Sequence, residues 1–285
     1  MCVQSQPSLW PSLAMSLRFG DWKDSRMVFK TAYSDASGKK GEVSVSPAMV
    51  VASPEVWVEF DKRWSSCLRE FKVSAFHASD FHRSDREFKG WNNDRPKRRR
   101  FMNHLLWIIE ELVEFTTACG VLIDDYRYAD KYYHLEKILK PYSLGALTCV
   151  SAVAHWAIDN DINMEQFLWI FERGDEDQDD LKKRWIIATK SGLTDPQFLR
   201  KVDEYPKGTV RRRIRPFEAA DLIAYENLLI HRLFDEKQGD VAYEDELTDV
   251  MQRMKKWKDA QAWKICSTEN LVEMCEKWGV RKRES

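Results

Sequence analysis

The sequence predicts an α/β fold in which a mixed sheet is flanked by helices and followed by extra C-terminal helices. Three observations lead there. Short β-rich segments alternate with longer segments of helical spacing, the pattern of strands joined by crossover helices. The first two β-rich segments are separated only by turn chemistry, ASGKKG at 36–41, so the sheet opens with a hairpin. The segment QFLWIFE at 166–172 is apolar on both faces, as a central strand covered on both sides must be.

In VFKTAYSD, residues 28–35, the alternation puts Phe29, Thr31, Tyr33 and Asp35 on one face of a strand that ends on a carboxylate. GEVSVSPAMVVAS returns as the second strand. Ser53 then caps a helix that takes Pro54 in its first turn, and EVWVEFDKRWSSCLREF carries apolar residues at helical spacing. VSAFH at 73–77 is expected as a short strand. A charged helix follows from about Arg95 to Glu114, then a strand TTACGVLI at 116–123, then helical stretches at 128–139 and 142–159 divided by Pro141. Helices at about 176–189 and 216–234 come after the central strand. From Gly239 the pattern is helical and tryptophan-bearing, so 239–285 is expected as a helical extension of a sheet domain at 28–238. Residues 1–27 lack the basic start, apolar run and cleavage site of a secretory signal and are expected as a flexible leader.

Composition narrows the function classes. With 285 residues the chain buries a large core without disulfide or metal staples. Apolar residues at 44%, with 12 Trp and 14 Phe, exclude a disordered, collagenous or low-complexity chain. Lys and Arg number 45 against 46 Asp and Glu, a formal net charge of -1, so any electrostatic binding comes from local patches. Charged residues interrupt apolar runs such as LLWII at 105–109 well before the ~20 residues of a membrane span. The six cysteines show neither CxxC nor zinc-finger spacing and read as free thiols in a reducing cytoplasm, with Cys67, Cys119 and Cys149 as small buried hydrophobes.

Several acids stand where burial or strand ends make them costly or useful. In PFEAADLIAYENLLIHRLF, Asp221 shares the apolar stripe of Phe217, Ala224 and Leu228, so it docks against the sheet. A carboxylate there persists only if a cation, a hydrogen-bond network or a chemical task holds it; pairing with an arginine is the plain alternative. Asp35 ends the first strand, and Glu172 ends the central strand on the face of Leu168 and Ile170, where α/β active sites collect. Asp35 also suits a turn start, and Glu172 a solvated strand end. Asp175, with Gln178 three residues on, fits a capping box and could exchange roles with Glu172. His77, Asp80 and His82 in HASDFH could ligate a metal or merely serve a strand exit and helix start. Asp124 and Asp125 read as solvated loop acids. Two basic runs, RPKRRR at 95–100 with Arg98 and Arg99, and KGTVRRRIR at 207–215 with Arg211, Arg212 and Arg213, offer phosphate contacts; a solvated helix face or nuclear localisation also explains the first. Acids that hold cations beside arginines that hold phosphates are the parts of a phosphodiester-cleaving site.

With YSDASG, FHASDF, FERGDED and PFEAADLIAYE in this order between about Phe29 and Phe234, the chain resembles the domain of unknown function 3800 family, a group regarded as having a ribonuclease H-like fold. The last motif is the most specific. The family's opening motif usually reads Asp-Glu-Ser-Gly; Ala36 stands here in place of the Glu, so Asp35 carries over and the second acid does not. The resemblance implies a metal-dependent nuclease acting on RNA, DNA or a hybrid, with Asp35, Glu172 or Asp175, and Asp221 holding two divalent ions. Mg²⁺ suits an all-oxygen site best, and Mn²⁺ can substitute. Asp80 and His77 would support the site. Two rivals remain on the same fold: a nucleic-acid-binding module without turnover, which Ala36 favours, and a protein-interaction scaffold whose acids and arginines simply pair.

Overall fold

The expected opening hairpin forms from β1 (Lys30–Ser37) and β2 (Ser44–Ala52), antiparallel with Tyr33 opposite Val50 and Asp35 opposite Ala48. The structure, a computed structural model, describes residues 30–38, 42–175, 177–203, 212–235, 261–280 and 282. The expected leader at 1–27 therefore lies outside the described residues, as does Arg211.

Helix α1 (Pro54–Glu70) starts as its sequence dictates, with the Ser53 hydroxyl accepting from the Val56 amide. Then come α2 (Ala78–Arg83), α3 (Arg95–Leu112), β3 (Phe115–Leu122), α4 (Ile123–Tyr133), α5 (Leu135–Ile138) and α6 (Pro141–Asp159). Asp94 caps α3 by accepting from the Lys97 amide at 3.0 Å. The chain continues through β4 (Phe167–Glu172), α7 (Gln178–Lys190), β5 (Gln197–Leu199), the short pair β6 (Val202–Asp203) and β7 (Arg212–Arg213), and α8 (Arg215–Asp235). It ends with β8 (Gln261–Cys266) and α9 (Thr268–Lys277).

The main sheet has six strands in the order β5-β4-β1-β2-β3-β8. The pairs β1/β2 and β2/β3 are antiparallel; β1/β4, β4/β5 and β3/β8 are parallel. This is a mixed sheet covered by helices on both faces. Strand alternation sorts the core accordingly. Tyr33, Val50, Ala118 and Ile170 face α1, α2, α3 and α8, whereas Ala32, Val51, Cys119 and Trp169 face α4, α6, α7 and α9. The described cysteines are buried free thiols, in keeping with their reading as small hydrophobes.

Three expectations do not hold. The helix expected at 128–139 is two, α4 and α5, parted at His134, whose left-handed backbone (φ 52°) ends the first. VSAFH at 73–77 forms no strand, because its amides are taken elsewhere. Phe76 N donates to the Glu218 carboxylate at 3.1 Å, and Ala78 N, just beyond, donates to Asp221 Oδ2 at 2.8 Å. The C-terminal stretch is not wholly helical either. QAWKIC at 261–266 forms β8 along the free edge of β3, giving that edge its backbone partners. No Gly or Pro marks this strand off from its surroundings, so nothing in the sequence punctuates it.

One close approach fixes α8 on the sheet. The buried His231 ring lies over Gly120 of β3, where a Cβ would stand 1.4 Å from His231 Cε1, and its Nδ1 is 2.9 Å from Ser44 Oγ. Among the described residues, no helix is long and apolar enough to cross a membrane.

Candidate functional site

Register brings the first two acids together. Tyr33 lies opposite Ile170 on the parallel strands β1 and β4. Asp35 and Glu172 each follow two residues later, so they leave adjacent strand ends on the same face. That face is the one covered by α8. Phe217 packs edge-on against Tyr33 with ring centroids 5.4 Å apart, and Asp221, one turn further along α8, is set down beside the strand ends.

Asp175 arrives by a different route from the one its sequence suggests. It does not cap α7, which starts at Gln178; the Gln178 side-chain Nε2 donates instead to the Glu172 carbonyl at 2.6 Å. Gly174, at φ +118°, allows the intervening turn, and Asp175 is folded back toward the strand ends. Oxygens of Asp35, Glu172 and Asp175 lie within 4.8 Å of one another.

A cation sits among these carboxylates. Lys201 Nζ is 2.7 Å from Asp35 Oδ2, 3.2 Å from Glu172 Oε2 and 3.8 Å from Asp221 Oδ1. Lys201 belongs to the two-residue link between β5 and β6, and its carbonyl accepts from Ile214 N at 2.9 Å. Asp35 Oδ1 accepts from Ala36 N at 2.8 Å. Asp35 Oδ2, despite the nearby ammonium, has no hydrogen bond of good geometry, and neither does Asp175 Oδ2 or the Tyr142 hydroxyl beside it.

The electrostatics follow from crowding like charges in a dry place. Burial pushes the Asp35 carboxyl well above the usual carboxylate range; Lys201 pulls it back, while Glu172 and Asp221 push it further up. Asp175 is raised to about 7, chiefly by burial and then by the Asp35 charge. Burial works against the Lys201 ammonium, yet Asp221, Asp35 and Glu172 together hold its pKa well above that of a free lysine. Asp35 and Asp175 are thus raised by burial and neighbouring negative charge, while the cluster as a whole holds one ammonium. An all-oxygen donor set of this kind suits a hard divalent cation, and Asp175 Oδ2, buried without a directed donor, is placed to ligate one.

The four acids singled out in the sequence are thus brought to one place: Asp35, Glu172 and Asp175 directly, and Asp221 through the shared ammonium. The supporting candidates are engaged elsewhere. Asp80 pairs with Arg86 at 3.4 Å and lies 3.9 Å from both Arg83 and His77, whose Nδ1 is 2.9 Å from Ser79 Oγ. The contribution of HASDFH to the site is a backbone amide, that of Ala78. His82 pairs with Glu226 at 2.8 Å. Asp124 and Asp125 fall in the first turn of α4 rather than in a loop. Arg98 donates to the Phe81 carbonyl and Ser84 Oγ, each at 2.8 Å, and its guanidinium lies over the Phe81 ring. Arg99 is exposed on α3, and Arg212 and Arg213 form β7, with Arg213 exposed.

Two charged residues escaped the sequence reading. Lys201 carries no local signal, since it lies in a link between short strands. Glu218, three residues before Asp221 in PFEAAD, is buried and accepts from Trp64 Nε1 at 2.7 Å, Phe76 N at 3.1 Å and Arg215 Nη1 at 2.6 Å. Its i, i+3 spacing from Asp221, which puts both acids on neighbouring positions of one helix face, could have flagged it. Comparison of the chain with protein-family models, curated proteins and solved structures finds no match.

Proposed function

We propose that this chain is a metal-dependent nuclease, or a related phosphodiester-cleaving enzyme, of ribonuclease H-like fold, acting on RNA, DNA or a hybrid in the cytoplasm. One observation carries the reading: three carboxylates from a first-strand end, a later strand end and the turn after it converge within 4.8 Å, with a fourth acid from α8 beside them. A first-strand Asp, strand-end acids and a last-helix Asp are what the resemblance requires. Asp35, Glu172 and Asp175 would hold Mg²⁺ or Mn²⁺, and Asp221 would complete the set for a second ion. Such ions, when bound, activate water and stabilise the leaving oxygen of a phosphodiester. The chain's own groups do the positioning. Asp221, anchored by the Ala78 amide, keeps Oδ1 turned toward the shared centre, and Asp35 is fixed by the Ala36 amide. Arg213 and Arg99, both exposed, supply phosphate contacts.

The test is incubation of pure protein with labelled RNA, DNA and RNA–DNA hybrid in Mg²⁺, Mn²⁺ or EDTA. Cleavage is expected with either metal, none in EDTA, and none from Asp35→Asn. Absence of product on every substrate, with intact binding, would favour a nucleic-acid-binding module on the same fold. That second reading draws on Ala36 in the family's acidic position and on Lys201, which already neutralises part of the cluster. Absence of both binding and product would leave the protein-interaction scaffold.

A further inference from the structure

We propose that Lys201 is a built-in cation that holds the place of a divalent ion among Asp35, Glu172 and Asp221 and gives way when the ion binds. This rests on the metal-site reading above. Its ammonium is the positive charge that lets several carboxylates lie side by side, at 2.7 Å from Asp35, 3.2 Å from Glu172 and 3.8 Å from Asp221.

Two observations point to exchange rather than a permanent pair. The ammonium leaves ligand capacity unused: the buried Asp175 Oδ2 has no hydrogen bond of good geometry, and Asp221 Oδ1 is met only at 3.8 Å. A dication, which takes about six oxygen ligands, uses such atoms. The lysine is also placed to leave. It lies outside the strands, between β5 and β6, on a flexible four-carbon stem whose side chain is 19% exposed, so it can swing outward without unpairing the sheet. An ammonium and a dication drawing on the same Asp35 and Glu172 carboxylates repel at short range, so occupancy by one weakens the other. Ion entry therefore displaces the Lys201 ammonium to the mouth of the site, beside the phosphate of a bound strand.

The exchange can be read directly in the wild-type protein by acetylating lysines with acetic anhydride and following Lys201 by mass spectrometry. Saturating Mn²⁺ should raise Lys201 acetylation several-fold while the exposed Lys182 and Lys183 on α7 stay unchanged. Unchanged or reduced labelling at Lys201 overturns the proposal. As a second arm, Lys201→Met and Lys201→Gln should melt lower than wild type in EDTA and bind Mn²⁺ at least tenfold more tightly, read from the melting midpoint against Mn²⁺ concentration without nucleic acid. A folded variant that binds Mn²⁺ no better than wild type also overturns it; if neither variant folds, the labelling decides. Tighter Mn²⁺ binding without cleavage of any substrate would sustain the exchange and defeat the nuclease reading. Failure of Mn²⁺ to bind wild type and both variants would defeat both.

Discussion

Glu218 and Asp221 lie within one turn of α8, both buried, and their substitution should have opposite consequences. Glu218→Ala removes the carboxylate that joins Trp64 Nε1, Phe76 N and Arg215 Nη1. The indole and the amide are left inside the fold without an acceptor, at about 1–3 kcal/mol each. Arg215 loses its ion partner, although it keeps the Ser74 carbonyl at 3.2 Å, so its share is small. The total is about 3–5 kcal/mol, the range for breaking a buried charge pair, which lowers the melting midpoint of a protein this size by about 10 °C. Asp221→Asn behaves differently. The Asn side-chain oxygen still accepts from Ala78 N, Lys201 keeps Asp35 and Glu172, and the repulsion that Asp221 exerts on Asp35 disappears. Its effect in metal-free buffer should stay within about 1 kcal/mol, while metal-induced stabilisation is lost. Urea unfolding followed by tryptophan fluorescence, in EDTA and then in Mn²⁺, measures both. A loss of several kcal/mol for Asp221→Asn in EDTA, or under 1 kcal/mol for Glu218→Ala, would show that the structural and functional charges have been assigned the wrong way round.

Two further outcomes follow from groups away from the acid cluster. Burial lowers His231 from 6.5 to about 4, so the imidazole is neutral in the folded chain and protonates more readily in the unfolded one. Its contribution is complete above pH 6.5 and is lost as pH falls from 6.5 toward 4. The full loss is about 3 kcal/mol, so His231→Gln should flatten the difference between urea midpoints at pH 7 and 4.5; an unchanged difference refutes it. Arg98→Ala should cost about 1–2 kcal/mol through the lost Phe81 carbonyl and Ser84 hydrogen bonds, and should leave the salt dependence of nucleic-acid binding as in wild type, whereas Arg213→Ala should reduce its slope by about 0.7–0.9. A flattened slope for Arg98→Ala would return that residue to the phosphate-binding set.

Most of the sheet was legible because its strands carry their own marks. The hairpin follows from turn residues between two β-rich runs, and β4 from a run apolar on both faces. The helix start at Pro54 was fixed by proline at the first turn, and Pro141, read as a divider between helices, is itself the first residue of α6. The two strand failures share a cause, which is that partners distant in sequence decide the outcome. VSAFH has strand composition, but Glu218 and Asp221, more than 140 residues away, claim Phe76 and Ala78 amides that a neighbouring strand would have used. QAWKIC becomes a strand because β3 offers a free edge, a fact invisible in the residues of either segment.

The site shows the same division between what periodicity can and cannot reach. Alternation along β1 and β4, and the stripe on α8, are properties of single elements, and they suffice to aim Asp35, Glu172 and Asp221 at one face of the sheet. Asp175 was harder, because a capping box and a folded-back turn use the same residue types; only the position of Gly174 and the late start of α7 separate them. Arg98 and Arg99 show the limit for charge runs: five basic residues in six give a patch its sign, yet one of these arginines is consumed by Phe81 and Ser84. Lys201 lies beyond all of these signals. It is delivered by a two-residue link between an edge strand and a two-strand pair, and its importance comes from the three carboxylates around it. Because that one ammonium offsets charge on Asp35, Glu172 and Asp221 together, counting acids alone overstates the negative charge of the cluster.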